Sequence, residues 1–306
     1  MNVFDFRWDD KKEKPYFQYI EDNKSKSKKI LKNLFLNFDT PFFLTVTDEK
    51  MKCMGSMQKQ KYVSCSQNEI GKKKCEICKK SEDYFPCQFC NGFNCERFRN
   101  DKIENCDADH MVYLALFSDN IVKIGVSRLS RMKARQYEQG THYTRILAQG
   151  ISGVTARRIE HFVGKLGFPD KITASRKKDI LFPCVPLEKG KQILEEKYQF
   201  AKENIHHQMP EMMKYIVENE FWDMRSFYAN DFDFLEKSHK AVHYLDLKEG
   251  ESVGGVLKGV KGAFLLIETP TELVVILAKK LAGKEISFDE CEEGISKIGG
   301  FQGGLF

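Results

Sequence analysis

Two C-x-x-C pairs stand close together in this sequence. They are Cys75 and Cys78, in the run CEIC, and Cys87 and Cys90, in the run CQFC. A C-x-x-C turn places two sulfur atoms on one side of a tight bend, and a second pair completes the four thiolates of a tetrahedral zinc site. The spacing therefore predicts structural zinc, and the metal would supply folding free energy to a segment that is poor in apolar residues.

Further potential ligands surround the two pairs. The metal ligands that we predict are Cys65, Cys75, Cys78, Cys87, Cys90, Cys95, Cys106 and His110. The four ligands outside the pairs either form a second site or exchange partners with the pairs, so the sequence predicts one or two zinc ions. An iron–sulfur cluster and disulfides are the alternatives to zinc. The start of the chain, MNVFDFRWDDKKEK, does not resemble a secretory signal, which argues against disulfides.

Positive charge is concentrated between residues 120 and 180. Thirteen basic and four acidic residues give this stretch a net charge of +9, whereas the whole chain carries +5. Such clustering is typical of a surface that binds a phosphate backbone, and a solvated basic face is the alternative. The residues that we predict to contact nucleic acid are Arg128, Arg131, Gln139, Arg157, Lys177 and Lys178.

A predicted β-hairpin precedes the basic residues. Apolar runs rich in β-branched residues cover 112–117 and 121–126, and the sequence Ser118-Asp119-Asn120 between them is typical of a turn. The hairpin would form the floor of a site for the charged residues that follow it.

Two predicted helices follow the hairpin. The first covers 129–139 and ends at Gly140, which places Arg131, Arg135 and Gln139 on one face. The second begins after Ser152-Gly153, and Glu160 lies beside its apolar stripe, where the carboxylate can reach a cleft. An ion pair of Glu160 with Arg157 or Arg135 is the alternative interpretation.

The order of these residues resembles the core of the GIY-YIG nucleases. Tyr113 lies on the first strand, the second strand closes on Ile-Gly, Arg135 lies on the following helix, and Glu160 ends the run A-x-x-I-E. The resemblance implies that Tyr113 helps to activate the attacking water, that Arg135 stabilises charge on the phosphate, and that Glu160 holds Mg²⁺ or Mn²⁺. Lys123 replaces the tyrosine of YIG, and Met111 replaces the glycine of GIY. The predicted catalytic set is therefore Tyr113, Lys123, Arg135 and Glu160.

A second resemblance covers more of the chain. The Cys-rich stretch, the runs HMVYLA, KIGV and EQG, and a C-terminal GVKG are similar to an uncharacterised archaeal and bacterial family known only as a domain of unknown function. This similarity extends from about Cys65 to Ile286.

The remaining segments complete a predicted α+β architecture. Gly-rich strands after residue 252, with a hairpin over 263–267 and 273–277, predict a small barrel-like domain that binds nucleic acid or a protein partner. The predicted segments are a β-rich N-terminal part (1–64), a zinc module (65–111), a GIY-YIG-like α/β core (112–185), a helical segment (186–245) and the small β domain (246–306). No run approaches the roughly 18 apolar residues of a membrane span, so we expect a cytoplasmic protein without a membrane partner.

These patterns together predict a zinc-containing protein that binds nucleic acid. RNA is favoured over DNA, because zinc knuckles and small β domains bind unpaired backbone and splayed bases. If the core is catalytic, it acts as a divalent-metal-dependent nuclease on RNA or DNA. The alternatives are a non-cleaving nucleic-acid-binding module and a zinc-stabilised scaffold for protein partners.

Overall fold

The computed structural model divides the chain into two compact units. The first unit combines Met1–Asp83 with Ala229–Asp231 and Lys237–Phe306, and the second combines Tyr84–Tyr228 with Phe232–Glu236. The structure describes residues 1–23, 28–59, 61–67, 70–82, 90–94, 104–182, 185–218, 220–230, 232, 235 and 241–290.

Strands outnumber helices in the described part of the chain. The strands are β1 (Asn2–Trp8), β2 (Pro15–Asn23), β3 (Lys28–Phe35), β4 (Pro41–Asp48), β5 (Ser56–Gln58), β6 (Lys61–Val63), β7 (His110–Ser118), β8 (Ile121–Arg128), β9 (Tyr143–Ile151), β10 (Phe221–Asp223), β11 (Ala241–Leu245), β12 (Ser252–Lys261), β13 (Phe264–Glu268), β14 (Glu272–Leu277) and β15 (Glu285–Asp289). The helices are α1 (Glu76–Lys80), α2 (Glu104–Asp107), α3 (Met132–Gln139), α4 (Gly153–Lys165), α5 (Ala174–Asp179) and α6 (Leu187–Gln208). Short 3₁₀ turns lie at Leu129–Arg131, Pro210–Tyr215, Arg225–Phe227 and Ala278–Leu281.

The first unit is built on one nine-stranded sheet. Its strand order is β11-β14-β13-β12-β4-β15-β1-β2-β3, and its pairs are antiparallel except for β11 with β14. Strand β4 lies between two C-terminal strands, β12 and β15, and its alternating residues Phe42, Leu44 and Val46 are buried. The alternation is what a strand with one core-facing side requires.

This sheet corrects the expectation of a small C-terminal barrel. The predicted hairpin over 263–267 and 273–277 is confirmed, since β13 pairs antiparallel with β14. The prediction that these strands close into a barrel of their own is wrong, because β12 and β15 pair with the N-terminal β4 instead. Within the described residues the sheet stays open, and the predicted segments 1–64 and 246–306 share it.

The second unit contains a four-stranded sheet in the order β10-β9-β7-β8. The predicted hairpin is confirmed as β7 paired antiparallel with β8. Seven consecutive residues of β7, from 111 to 117, are buried, because both faces of this central strand are covered. Val112, Leu114 and Leu116 pack on the side of α4 and α6, whereas the residues between them face Leu129 and Met132. The unbroken apolar run of β7 follows from this double coverage.

The two predicted helices after the hairpin are present. The first begins as a 3₁₀ turn, continues as α3 and ends at Gly140. The second is α4, whose N-terminus is capped by the Ser152 hydroxyl accepting from Thr155 N. Ala156, Ile159 and Val163 form its buried stripe, as their helical spacing predicts. The opposite side of α4 is therefore left for charged residues.

Candidate functional site

Four cysteines of the first unit lie together in a cysteine cluster. Their sulfur atoms, from Cys53, Cys65, Cys75 and Cys78, all lie within 4.8 Å of one another. The sulfur atoms of Cys65 and Cys75 are 3.8 Å apart, well beyond the roughly 2.05 Å of a covalent disulfide. Four free thiols at this spacing can hold a metal ion such as zinc.

Short local elements position these four side chains. The hairpin of β5 and β6 separates Cys53 from Cys65 and brings the chain back on itself. Cys75 caps the N-terminus of α1, where its sulfur accepts a hydrogen bond from Cys78 N at 3.4 Å. Backbone N–H groups of Cys75 and Gln67 also donate to the sulfurs of Cys53 and Cys65. Such donors favour the thiolate form that binds metals.

The thiols of the cysteine cluster influence one another's ionisation. Burial opposes ionisation of Cys65, but hydrogen bonds from the Cys53 thiol and the Gln67 N–H lower its pKa to about 7. Burial, together with the neighbouring thiols, raises the pKa of Cys78. Without a cation the four sulfurs therefore do not all carry charge at neutral pH, whereas a divalent ion would stabilise four thiolates at once.

The cysteine cluster differs in membership from the predicted ligand set. Cys65, Cys75 and Cys78 belong to it as predicted, but their fourth partner is Cys53, which the prediction did not include. The prediction that the pair Cys75/Cys78 shares a site with the second C-x-x-C pair stays a prediction, because Cys87 lies outside the described residues. Of the other predicted ligands, Cys87 and Cys95 lie outside the described residues, and Cys90, Cys106 and His110 belong to the second unit.

Cys106 and His110 lie beside the start of α4. Both are in contact distance of Gly153, where an added Cβ would meet the His110 ring at 3.0 Å and the Cys106 backbone at 3.2 Å. The Nδ1 atom of His110 lies 2.7 Å from the Ala108 carbonyl oxygen, which fixes the proton on Nδ1 and leaves Nε2 as the atom with a lone pair. Burial lowers the pKa of His110, so the ring stays neutral. A second metal site at these residues stays a prediction.

A basic cleft of about 940 Å³ lies in the second unit. Its lining comes from β8, from Arg135 on α3, from one face of α4 and from the loops at 90–91 and 167–171. The loop at 167–171 is fixed to the sheet because Ile124 N donates to the Pro169 carbonyl at 3.0 Å. The charged residues of the lining are Lys123, Arg135, Arg157, Glu160, Lys165, Asp170 and Lys171. The cleft therefore presents five cations and two carboxylates.

Helix α4 provides five residues of this lining. Its residues Arg157, Glu160, His161, Gly164 and Lys165 all face the basic cleft. Their spacing of three, four, seven and eight residues from Arg157 places them on one face of a helix. His161, Lys165 and Gly164 were not predicted as site residues, although this polar stripe, opposite the apolar one, is a sequence signal that could have found them.

Glu160 forms an ion pair inside the basic cleft. Its carboxylate accepts from Arg157 Nη1 at 2.6 Å, and its side chain is 14 % exposed. The alternative interpretation of an ion pair with Arg157 is therefore what the structure shows. The pair does not remove Glu160 from the site, because both side chains line the cleft.

Tyr113 lies beneath the cleft and is fully buried. It pairs across the sheet with Gly125, where an added Cβ would come within 2.6 Å of the tyrosine ring. A side chain at position 125 would thus displace the ring, which explains the glycine. Within the described residues the hydroxyl makes no hydrogen bond, and burial raises its pKa although the Arg135 charge opposes this. Tyr113 is therefore a neutral phenol facing Arg135.

Lys123 contributes a buried amine to the basic cleft. It is 5 % exposed, and its Nζ donates to the Ile124 carbonyl oxygen at 3.1 Å. Burial, followed by repulsion from the Arg135 charge, lowers the pKa of Lys123 to about 8, and the Glu160 carboxylate opposes the shift. At neutral pH the amine is charged, and it lies close to its titration range.

Arg135 reaches the cleft from α3 with 37 % of its side chain exposed. With the amide of Gln139 oriented to accept, the Gln139 oxygen lies 3.3 Å from Arg135 Nε and 3.2 Å from Nη2. Glu138 lies 3.8 Å from Arg135 Nη1 and also pairs with Arg131 at 2.6 Å. Gln139 and Glu138 thus orient the guanidinium and leave part of it open to the cleft.

The residues predicted to contact nucleic acid have different surroundings. Of the six, all within the described part of the chain, Arg157 lines the basic cleft. Gln139 is buried, and its backbone carbonyl oxygen accepts from Lys177 Nζ at 2.5 Å. Arg128 is half-buried at the end of β8, and Lys178 is exposed on α5. Gln139 therefore acts on Arg135, and its own side chain does not line the cleft.

The fold and the two sites define a mixed α/β protein with a four-cysteine candidate metal site and a basic cleft. The chain belongs to the family described as "Protein of unknown function (DUF2797)", which matches residues 42–286. No curated protein and no solved structure shows significant similarity to it. Among the described helices, none combines the length and the apolar character that crossing a membrane requires.

Proposed function

We propose that this protein is a zinc-containing nucleic-acid-binding protein whose basic cleft holds a backbone phosphate. One observation carries the proposal. Five cationic side chains and two carboxylates converge on a single cleft of about 940 Å³. An excess of positive charge in a concave site attracts an anion, and a nucleic-acid backbone supplies such anions at regular spacing.

The cations of the cleft suit a phosphate in different ways. Arg135 and Arg157 are each held by a neighbouring side chain and are each about one third exposed, so their remaining N–H groups can bind phosphate oxygens in pairs. Lys123 lies deeper and offers a single point charge. RNA is proposed ahead of DNA, and the experiment below compares them.

Phosphodiester cleavage is the enzymatic form of this proposal. The carboxylates Glu160 and Asp170 line the cleft, and carboxylate oxygens are the ligands that Mg²⁺ and Mn²⁺ prefer. When bound, the ion would supply Lewis-acid stabilisation of charge on the phosphate. Arg135 would stabilise the same charge, and Tyr113, being buried, would position Arg135 instead of touching water.

Zinc in the cysteine cluster completes the proposal as a structural element. The four sulfurs offer a complete set of four thiolate ligands with backbone N–H donors around it, which is typical of a structural site. The metal would link the two ends of the segment from Cys53 to Cys78 within the first unit. A role in binding protein partners through the first unit is the alternative that the experiment tests.

The test titrates the purified full-length protein with labelled single-stranded RNA and DNA across a salt series, with no added Mg²⁺. Binding should weaken steeply with salt, with a slope of about −0.7 per phosphate contact. Arg135→Ala should weaken binding roughly 10- to 100-fold. Arg176→Ala is the matched control, because Arg176 is exposed on α5 and is not part of the cleft lining.

Cleavage is then measured with Mg²⁺ present. Glu160→Gln should abolish Mg²⁺-dependent cleavage and keep binding, because it removes a charge and preserves the shape. If the unmodified protein binds in a salt-dependent way but does not cleave, the protein is a non-cleaving nucleic-acid-binding module. Absence of salt-dependent binding, with the fold intact, would contradict the proposal in favour of the protein scaffold.

A further inference from the structure

Two exposed phenylalanines lie next to the basic cleft. In the described part of the second unit, Phe93 and Phe200 are the large hydrophobic side chains that stand exposed, at 61 % and 45 %. Each is in contact with an aromatic residue of the cleft lining. Phe93 lies edge-to-face with His161, at 6.0 Å between ring centroids, and Phe200 is stacked on Phe168, at 6.3 Å.

A hydrogen-bonded turn at 91–94 keeps the side chain of Phe93 out of the core. The side-chain oxygen of Asn91 accepts from the backbone N–H groups of Phe93 and Asn94, both at 2.9 Å. Arg158 on α4 donates to the Gly92 carbonyl at 2.9 Å and lies 5.3 Å from the Phe93 ring centroid. Gly92 has a φ of +81°, and an added Cβ would meet Arg158 at 2.6 Å. The turn is thus fixed to α4 while the ring faces solvent.

Phe200 lies beside Phe168, which lines the basic cleft. It projects from α6, and its ring lies at 26° to the buried ring of Phe168. The Nζ atom of Lys197, one turn earlier on α6, is 5.9 Å from the Phe168 ring centroid. An exposed ring over a buried one, with a cation beside it, is an arrangement on which a further flat ring can stack.

We propose that Phe93 and Phe200 stack on unpaired bases of a nucleic-acid strand whose phosphates occupy the basic cleft. The inference rests on the proposed function and adds the substrate class, a strand with accessible base faces. Base faces inside a duplex are covered by the neighbouring base pairs, so exposed aromatic rings next to a phosphate site select unpaired nucleotides. Stacking requires no particular base, so little sequence preference is expected.

The test compares three ligands that share their phosphates and differ in their bases. These are an oligothymidylate of about 12 nucleotides, an abasic oligonucleotide of the same length, and the corresponding duplex. The unmodified full-length protein should bind the oligothymidylate most tightly. Phe93→Ala and Phe200→Ala should each weaken that binding roughly 5- to 150-fold, and should leave binding of the abasic strand unchanged.

Two kinds of control accompany the variants. Phe93→Trp and Phe200→Trp keep an aromatic face and should keep the affinity. Ile77→Ala removes a side chain that is 58 % exposed in the first unit, and it should have no effect. Since the phenylalanines are exposed, the alanine variants should melt at the same temperature as the parent protein.

The outcomes separate this inference from the proposed function. Equal affinity for the oligothymidylate and the abasic strand, with no effect of the phenylalanine variants, would overturn the inference and leave phosphate binding standing. Equally tight binding of the duplex with the same insensitivity would overturn it too. Failure of all three ligands to bind in a salt-dependent way would overturn the proposed function together with the inference.

Discussion

The cysteine cluster and the basic cleft solve opposite electrostatic problems. In the cluster, four sulfur atoms within 4.8 Å of one another are surrounded by N–H donors and by each other, and they need a cation. In the cleft, five cations face two carboxylates and need an anion. Burial, together with the neighbouring thiols, raises the pKa of Cys78, and burial, followed by repulsion from Arg135, lowers the pKa of Lys123.

The two regions also differ in how they are built. The cluster draws its ligands from 26 consecutive positions, Cys53 to Cys78, joined by one short hairpin and one short helix. The cleft draws its lining from a strand, two helices and two loops. A closed set of local ligands is suited to stabilising a fold, whereas an open and charge-unbalanced cleft on rigid elements is suited to recognition.

The largest expected effect comes from breaking the cysteine cluster. Cys78→Ser should remove about one equivalent of zinc and lower the free energy of unfolding of the first unit by about 4 kcal/mol or more, because metal binding and folding of this segment are coupled. Metal analysis and limited proteolysis of the segment around Cys53–Cys78 measure both effects. Ile77→Ser, at the neighbouring exposed position, is the control and should change neither.

The Cys78→Ser protein also tests whether the basic cleft functions independently of the cysteine cluster. Affinity of the Cys78→Ser protein for single-stranded nucleic acid should stay within about twofold of the parent, since the cleft lies wholly within the second unit. Full retention of zinc in this variant would show that the cluster is not the metal site. Retention of one equivalent out of two would indicate a second site, for which Cys90, Cys106 and His110 are the described candidates.

A smaller effect, confined to nucleic-acid affinity, is expected from filling the basic cleft. Gly164 lines the cleft on α4, and among the described residues nothing lies within 4 Å of an added Cβ. Gly164→Glu should therefore fold normally and weaken nucleic-acid binding about 100-fold, because it places a carboxylate where the phosphate is proposed to lie.

Gly164→Ala is the control that replaces the helical glycine without adding the negative charge of Gly164→Glu. It should bind like the parent and stabilise the second unit by up to about 1 kcal/mol, since alanine is the better helix former. The measurements are oligonucleotide titration and thermal unfolding of both variants. Unchanged affinity of Gly164→Glu would place the bound strand elsewhere.

Local patterns predicted the second unit well. The hairpin of β7 and β8, the end of α3 at Gly140 and the start of α4 at Ser152-Gly153 depend on neighbouring residues, and all three are found. The first unit depends on pairing between strands far apart in the chain. The sequence predicted a β-rich N-terminal part over 1–64 but did not reveal that β4 pairs with β12 and β15.

In the candidate sites, too, the sequence predicted the features that depend on neighbouring residues and missed those that depend on distant ones. A C-x-x-C spacing located Cys75 and Cys78, yet their partner Cys53 stands 22 residues before Cys75 and carries no spacing signal of its own. In the cleft, the sequence located Arg135 and Glu160, whereas Tyr113, to which the resemblance assigns activation of the attacking water, is fully buried. Burial of that ring follows from its register opposite Gly125, a relation between strands that spacing alone does not contain.

The smallest expected effect is a pH dependence, and it tests the electrostatic side of the comparison. The pKa of Lys123 is lowered to about 8 by burial first and then by repulsion from Arg135, so its charge is present below that pH and lost above it. If a phosphate binds there, affinity should fall by up to about tenfold between roughly pH 7 and pH 9. Lys123→Arg should show no such decline, because a guanidinium stays charged.

The stability of the unliganded protein should move in the opposite direction. Because the pKa of Lys123 is lower in the folded state than in the unfolded state, the unfolded chain binds more protons between about pH 8 and pH 10.5, and this residue's contribution to stability rises with pH over that range. Affinity measured by titration and stability measured by thermal unfolding at the same pH values distinguish the two effects. Affinity and stability that fall together, in the parent and in Lys123→Arg alike, would indicate general alkaline unfolding and would remove Lys123 from the proposed phosphate site.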